Sequence, residues 1–417
     1  MKSLFAVCTL VLAVGIAVAE EPDGLKLPPG FHATIVAEGV GPVRHLAVRA
    51  NGDIYVETPV DKQNNGSGII ALHLDANHRA DQITHFSNVD GGTGIGFYDG
   101  ALYASSASAV YRFRFSGTGL LPEKSADIIV QGMPTPHPGF NRANVPLAFD
   151  GKGDMYIAIE GSANLCADPN TPHGSPPVGL KPCPDLRDRA GIWRFKAGKL
   201  DQRFPTDGEK FATGVRDTTA LAWSPSDGHL YVILQGVDDS NKYWPQIISP
   251  QAEDQIADEM HRVTKGADLG WPYTYYDGVR KLRLIAPEYG GDGNKTAPKG
   301  KYSTPVLTFQ SRRASEVDLV FYSGHQFPAS YRGGAFIVQH GTRNRSGYDV
   351  LFVPFNPRGV AGAPIVFADG FAAFDASSNA RQKAKYRPVG AAVGPDGALY
   401  VADSQKGRIW RIAYGNN

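Results

Sequence analysis

One phrase recurs along this chain: a short apolar strand, a polar turn in which Gly stands beside Asp or Asn, and a second strand opening on an apolar–aromatic pair. Six copies can be read. The first runs from His45-Leu46-Ala47-Val48 through Asn51-Gly52-Asp53 to Ile54-Tyr55-Val56, and the second from residues 94–97 through Asp99-Gly100 to Leu102-Tyr103. The third passes from residues 146–149 through Asp150-Gly151 to Met155-Tyr156, and the fourth from residues 220–223 through Asp227-Gly228 to Leu230-Tyr231. The fifth joins residues 319–322 to Ala335-Phe336 through a longer insert, and the sixth joins residues 390–393 to Leu399-Tyr400 through Asp396-Gly397. Asp-Gly and Asn-Gly supply the positive φ angles that a short antiparallel turn demands, so each copy reads as a tight hairpin. Third strands follow, as in Val110-Tyr111-Arg112-Phe113, Gly191-Ile192-Trp193-Arg194-Phe195 and Arg408-Ile409-Trp410-Arg411-Ile412, where apolar and polar residues alternate.

Repeated hairpins with almost no long helical periodicity point to radial repetition of small sheets. A two-sheet sandwich would not explain six similar hairpins. The predicted fold is therefore all-β: a six-bladed β-propeller of four-stranded antiparallel blades. An extended apolar segment at residues 31–36 precedes the first hairpin and is placed to join the last blade, closing the ring and removing exposed strand edges. Excess length lies in inserts at residues 160–190, 236–300 and 323–333. Loops at a propeller's mouth carry ligand groups, because a rigid scaffold holds them while their sequence varies. Trp193, Trp223, Trp271 and Trp410 sit in strand or Gly-Pro contexts that suit core packing.

The first residues bear on the compartment. Lys2 leads an apolar run over residues 4–18 that ends in Ala17-Val18-Ala19, the pattern of a secretory signal peptide cleaved after Ala19. Residues 20–417 then form a single propeller domain, periplasmic or secreted, with no later apolar stretch long enough for a membrane span. A formal net charge of +1 with interspersed signs gives no footprint for nucleic acid or anionic lipid, which leaves a small molecule as the partner. Cys8 lies in the leader; Cys166 and Cys183 remain in one Gly/Pro-rich loop and are expected to form a disulfide in an oxidising compartment. The competing reading of a metal or redox pair lacks CxxC spacing. CxxCH, HExxH, GxSxG and P-loop patterns are all missing.

Several phrases together resemble the glucose/sorbosone dehydrogenase family: Leu27-Pro28-Pro29-Gly30-Phe31, Ala212-Thr213-Gly214-Val215-Arg216, Gly266-Ala267-Asp268-Leu269-Gly270-Trp271-Pro272-Tyr273, Pro287-Glu288-Tyr289-Gly290-Gly291 and Tyr386-Arg387-Pro388-Val389-Gly390. The resemblance implies pyrroloquinoline quinone (PQQ) and Ca²⁺ bound across the mouth of a six-bladed propeller, a sugar or aldehyde substrate, and a separate electron acceptor. A quinone with three carboxylates wants several cations, and Arg can meet a carboxylate with two parallel hydrogen bonds. By resemblance these are Arg216 with Asp217 beside it, Lys385 and Arg387 from the last blade, and Arg343 and Arg345. Calcium is expected on consecutive backbone carbonyls about twenty residues after Arg216, at Gly236 and Val237 in Gln235-Gly236-Val237. The downstream Asp258-Glu259 reads either as an acidic pair of the same loop or as a solvated surface pair.

The family's catalytic His falls a few residues before the third hairpin, where this chain has Arg142, or Asn141 with a one-residue shift. Neither is a usual general base, so His137 and His340 become the candidates. An aromatic lid of the family reads Gln310-Ser311-Arg312 here. These departures keep a second reading open: a carbohydrate- or cofactor-binding propeller without turnover. A calcium-dependent hydrolase would need a cage of Glu, Asn and Asp side chains at the channel, which the hairpin phrases do not show.

Overall fold

The computed structural model describes residues 21, 24–59, 68–87, 89, 92–134, 144–309, 314–341, 346–373 and 384–415. Each hairpin phrase forms the two inner strands of one blade. The first blade orders Leu46–Val48, Ile54–Glu57, Ile69–Leu74 and Ala80–Ser87; the second orders Ile95–Tyr98, Ala101–Ser105, Ala109–Phe113 and Asp127–Gln131. The third blade is Leu147–Phe149, Asp154–Ile159, Gly191–Lys196 and Glu209–Thr213, and the fourth is Ala220–Ser224, His229–Leu234, Asp258–Val263 and Leu307–Phe309. The fifth is Glu316–Phe321, Ala335–Gln339, Asp349–Val353 and Ile365–Ala368. Pro388–Val393, Leu399–Asp403 and Ile409–Tyr414 begin the sixth, and Phe31–Ala37 completes it by antiparallel pairing with Ile409–Tyr414. The innermost strands pack one against the next around a closed ring.

Apolar layers lie between neighbouring blades all the way round. Both faces of a blade are thus covered. The second strands accordingly read as continuous apolar runs rather than alternating ones, and Asp154–Ile159 is buried at every position. The aromatic of each hairpin phrase is the wedge of such a layer: Tyr55, Tyr103, Tyr156, Tyr231, Phe336 and Tyr400 are all buried. Tyrosine hydroxyls among them reach partners at the rim of the layer, Tyr55 donating to the Leu120 carbonyl at 2.7 Å and Tyr103 to the Ala197 carbonyl at 3.0 Å. Trp193 and Trp410 are core residues, and Trp223 stacks on Tyr156.

Two blades depart from the expected four strands. Gln202–Arg203 adds in parallel to Asp127–Gln131 of the second blade, and Ala267–Asp268 adds in parallel to Glu209–Thr213 of the third. In both, connecting chain covers an outer strand edge that would otherwise present unpaired backbone groups. The inserts build a further layer with its own two-stranded sheet, Thr274–Asp277 and Leu282–Ile285. Its core joins Trp271, Tyr275, Ile248, Ile256 and Leu284 to the Cys166–Cys183 disulfide. Gly161 lets this layer seat closely, since a Cβ there would lie 2.6 Å from the Trp271 ring. No helix among the described residues is long and apolar enough to cross a membrane. The leader expected at residues 1–19 lies outside the described residues.

Ring closure centres on Phe31, whose ring meets Phe327 at 4.8 Å, Phe367 at 5.0 Å and Tyr414 at 5.0 Å, all edge-on. Phe31→Ala is expected to cost about 3–5 kcal/mol in urea unfolding; a loss below about 1 kcal/mol would mean that the closing strand does not hold the ring. Reducing the disulfide, which spans 17 residues, should lower stability by about 3 kcal/mol through the freedom returned to the unfolded chain. Paired unfolding curves with and without reductant measure that loss.

Candidate active site

With both faces of every blade covered, polar side chains collect where strands run out. At one end of the ring the second strand of each blade finishes on, or just before, a polar residue: Glu57, Ser105, Glu160, Gln235, Gln339 and Asp403. The inserts at 160–190 and 236–257 leave from the same end, which marks it as the mouth.

On the third-blade side, the Gly161 amide donates to the Arg216 carbonyl at 2.9 Å, which sets Glu160 beside Asp217. Asn144 clamps the two acids: its side-chain NH₂ donates to Glu160 Oε2 and to Asp217 Oδ1, each at 3.0 Å. Burial first, and then the neighbouring Asp217 charge, push the Glu160 carboxyl up to about 8. Glu160 therefore keeps a proton at neutral pH while facing Asp217, and it becomes a proton acceptor as pH rises past about 8. Asp217, expected at the cofactor, is thus a member of an acid pair. Sequence reasoning missed Glu160 and Asn144; the usable signal was an acid directly after an apolar second strand, as also at Glu57 and Asp403.

Arg216 is turned away from that pair. Its Nε donates to Asn164 Oδ1 at 3.0 Å, its Nη1 to the carbonyls of Gln235 at 3.3 Å and Gly236 at 2.7 Å, and its Nη2 to Asp238 Oδ2 at 2.9 Å. Asn164 is held in turn by the insert layer, its carbonyl accepting from Trp271 Nε1 at 3.1 Å. The side chain of Val237 packs into the insert core. Of the two carbonyls expected to hold calcium, those of Gly236 and Val237, the Gly236 carbonyl faces a guanidinium together with that of Gln235 before it, and this donor set does not fit a divalent cation alongside it.

The Asp258-Glu259 pair is not a solvated surface pair: both residues are buried. Asp258 Oδ1 accepts the Gly236 amide at 2.7 Å and its carboxyl faces Glu316, whose Oε1 accepts from Gln339 at 2.6 Å. Burial, then the Glu316 charge, hold Asp258 well above the usual carboxylate range. Glu259 is ionised instead, despite burial, because Arg283 and His261 pair with it.

On the sixth-blade side the charge is reversed. The Asp403 carboxylate accepts the backbone amides of Arg387, Gln405 and Lys406, folding two loops against each other. This gathers cations on Tyr386: Lys385 Nζ lies 5.4 Å, Lys406 Nζ 5.2 Å and Arg408 Cζ 4.4 Å from the ring centre. Arg387 stands next to them, its Nη2 donating to the Gly341 carbonyl at 2.9 Å and to His340 Nδ1 at 3.0 Å. His340 Nδ1 is therefore an acceptor, so the ring proton sits on Nε2 and is given to Ser404 Oγ at 2.7 Å. The base lone pair of His340 is occupied, and in this arrangement His340 positions Arg387 rather than taking a substrate proton. Several cations on one side of a concave mouth fit a ligand with several carboxylates, as the chemistry of PQQ requires. His137, Arg142, Arg343, Arg345 and the segment Gln310-Ser311-Arg312 lie outside the described residues.

The chain is 23% identical, over 99% of its length and 98% of the relative's, to an uncharacterized protein of Borreliella burgdorferi. Among solved structures it is similar to the family AA12 carbohydrate-active enzyme of Trichoderma reesei, with a TM-score of 0.70 and 16% identity over 94% of this chain and 98% of the other. The holo PQQ domain of a pyranose dehydrogenase from Coprinopsis cinerea superimposes with a TM-score of 0.69 and 15% identity, over 93% and 97% of the two chains. These likenesses bear out the propeller. The model of the TrAA12-like family matches residues 25–275 and 283–415, in line with the resemblance read from the sequence. That match runs through every blade and most of the insert layer, and the chain belongs to the TrAA12-like family.

Proposed function

We propose that this protein is an exported oxidoreductase that oxidises a sugar or related aldehyde at the mouth of the propeller, with PQQ as its two-electron acceptor and a separate partner receiving the electrons. The observation that carries this reading is the polarity of the mouth. A proton-accepting acid pair, Glu160 and Asp217, stands on the third blade, and the cations of Lys385, Arg387 and Lys406 stand on the sixth, which is opposite the third in a ring of six. Export is supported by the leader pattern at residues 1–19, and a separate acceptor by the lack of a haem-attachment motif in the sequence. The relatives' names support the substrate class: one is a pyranose dehydrogenase with PQQ.

Oxidising an aldose at C1 to a lactone breaks a C–H bond and an O–H bond, releasing a hydride equivalent and a proton. When bound, PQQ supplies the acceptor for the two electrons. Lys385, Arg387 and Lys406 would hold its carboxylates, Arg387 being aimed by His340. The Glu160–Asp217 pair takes the hydroxyl proton, and Asn144 keeps both carboxyls facing one point. Such a proton acceptor contributes about 10²–10⁴-fold to rate. This role falls to carboxyls because the place of the family's His is taken by Arg142 or Asn141.

With PQQ added, the purified protein should bleach a redox dye on addition of an aldose or aldehyde. Quinone binding without dye reduction across a panel of aldoses would leave the non-catalytic binding reading, and no quinone binding would sink the assignment. Glu160→Gln should lower kcat by about 10²–10⁴-fold while PQQ affinity is kept. The wild-type rate should rise with pH through about 8 as the pair loses its shared proton, and the variant should lack that limb. Stability carries the opposite sign. The folded chain keeps on Glu160 a proton that the unfolded chain releases near its ordinary value of 4.5, so stability falls as pH rises from there towards about 8. Glu160→Gln should flatten that fall in melting temperatures taken across the range.

A further inference from the structure

We propose that the Arg216 guanidinium is this chain's built-in replacement for a divalent cation, filling an oxygen cage at the mouth so that the 235–238 loop is held without calcium. The cage has four oxygens: the Asn164 side-chain carbonyl, the Gln235 and Gly236 backbone carbonyls, and the Asp238 carboxylate, at 3.0, 3.3, 2.7 and 2.9 Å from guanidinium nitrogens. Two backbone carbonyls, an amide oxygen and a carboxylate are the hard, oxygen-only set that calcium prefers. Here the carbonyls and the carboxylate converge on a side chain that is always charged and 9% exposed. A calcium ion on the same carbonyls would have to displace the guanidinium or sit against its positive charge, and either is costly where the guanidinium is itself buried.

The surrounding hydrogen bonds fit the guanidinium rather than a mobile loop awaiting an ion. Asn164 Oδ1 accepts from both Arg216 and the Asp238 amide, the latter at 2.9 Å, while its NH₂ donates to the Asp238 carbonyl at 2.6 Å. Gln235 and Gly236 are tied from their amide side as well, to the Asp217 carbonyl at 3.0 Å and to Asp258 Oδ1 at 2.7 Å. The disulfide-bearing insert delivers Asn164, the start of the fourth blade delivers Arg216, and the loop closes over both. The chemical consequence is a fixed positive charge one residue from Asp217, present at any calcium concentration.

The test needs neither quinone nor sugar, so it stands or falls apart from the oxidoreductase reading. Hydrogen exchange of the Gln235, Gly236 and Asp238 amides is followed by mass spectrometry in 5 mM CaCl₂ and in 5 mM EDTA, about the upper range of calcium affinities for extracellular modules. Wild type should show the same protection and melting temperature in both. Arg216→Met, which keeps length and removes charge and donors, should speed exchange of these amides at least tenfold. Asn164→Ala, which removes one cage oxygen and leaves the charge, should speed it by a smaller factor and serves if the Met variant does not fold. The proposal is overturned if EDTA speeds exchange of the loop in wild type, or if Arg216→Met leaves it unchanged.

Discussion

Every blade buries both of its faces against its neighbours, and the rest of the molecule follows from that constraint. A side chain in the middle of a second strand has no solvated face to turn to, so the middles of these strands are apolar and anchored by an aromatic wedge. Polar chemistry is displaced to where the strands end. In a ring, all those ends meet at one mouth, so a packing requirement concentrates titratable groups in a single place. Burial then raises the carboxyls there, because little water reaches them and charge is costly.

The mouth is divided in charge. Blades three to five contribute carboxyl pairs that share protons, Glu160 with Asp217 and Asp258 with Glu316. Blade six contributes ammonium and guanidinium groups gathered on Tyr386 by Asp403. Between them Arg216 forms an internal cation, set by an insert that a disulfide closes on itself. One side suits proton uptake and the other suits an anionic ligand, so a quinone held by the cations would face a sugar held at the acid pair.

The fold was legible because its signals are local: the Asp-Gly and Asn-Gly turns mark the hairpins, and the following Tyr or Phe marks the buried wedge. The two Cys of one loop gave the disulfide for the same reason. The added parallel strands at residues 202–203 and 267–268 were not legible, since two-residue pairings carry no periodicity. The site was read less well because its contacts join distant stretches. Arg216 was found, but its turn onto Asn164 and Asp238 depends on where an insert of the previous blade comes to rest. Asp258-Glu259 could be read either as a loop acidic pair or as a solvated one, because nothing nearby in sequence announces Glu316 or Arg283. Glu160 was passed over in a search for a His, although the apolar strand before it already placed it at the mouth.

On this reading the two sides of the mouth serve one reaction, the cations holding the quinone and the acid pair meeting the sugar. A crystal structure of the protein with PQQ and an unreactive sugar analogue tests it most directly. The account predicts quinone carboxylates against Lys385, Arg387 and Lys406, with the anomeric hydroxyl of the sugar within hydrogen-bond reach of Glu160 or Asp217. A quinone bound with its carboxylates elsewhere, or a sugar seated away from that acid pair, would contradict it.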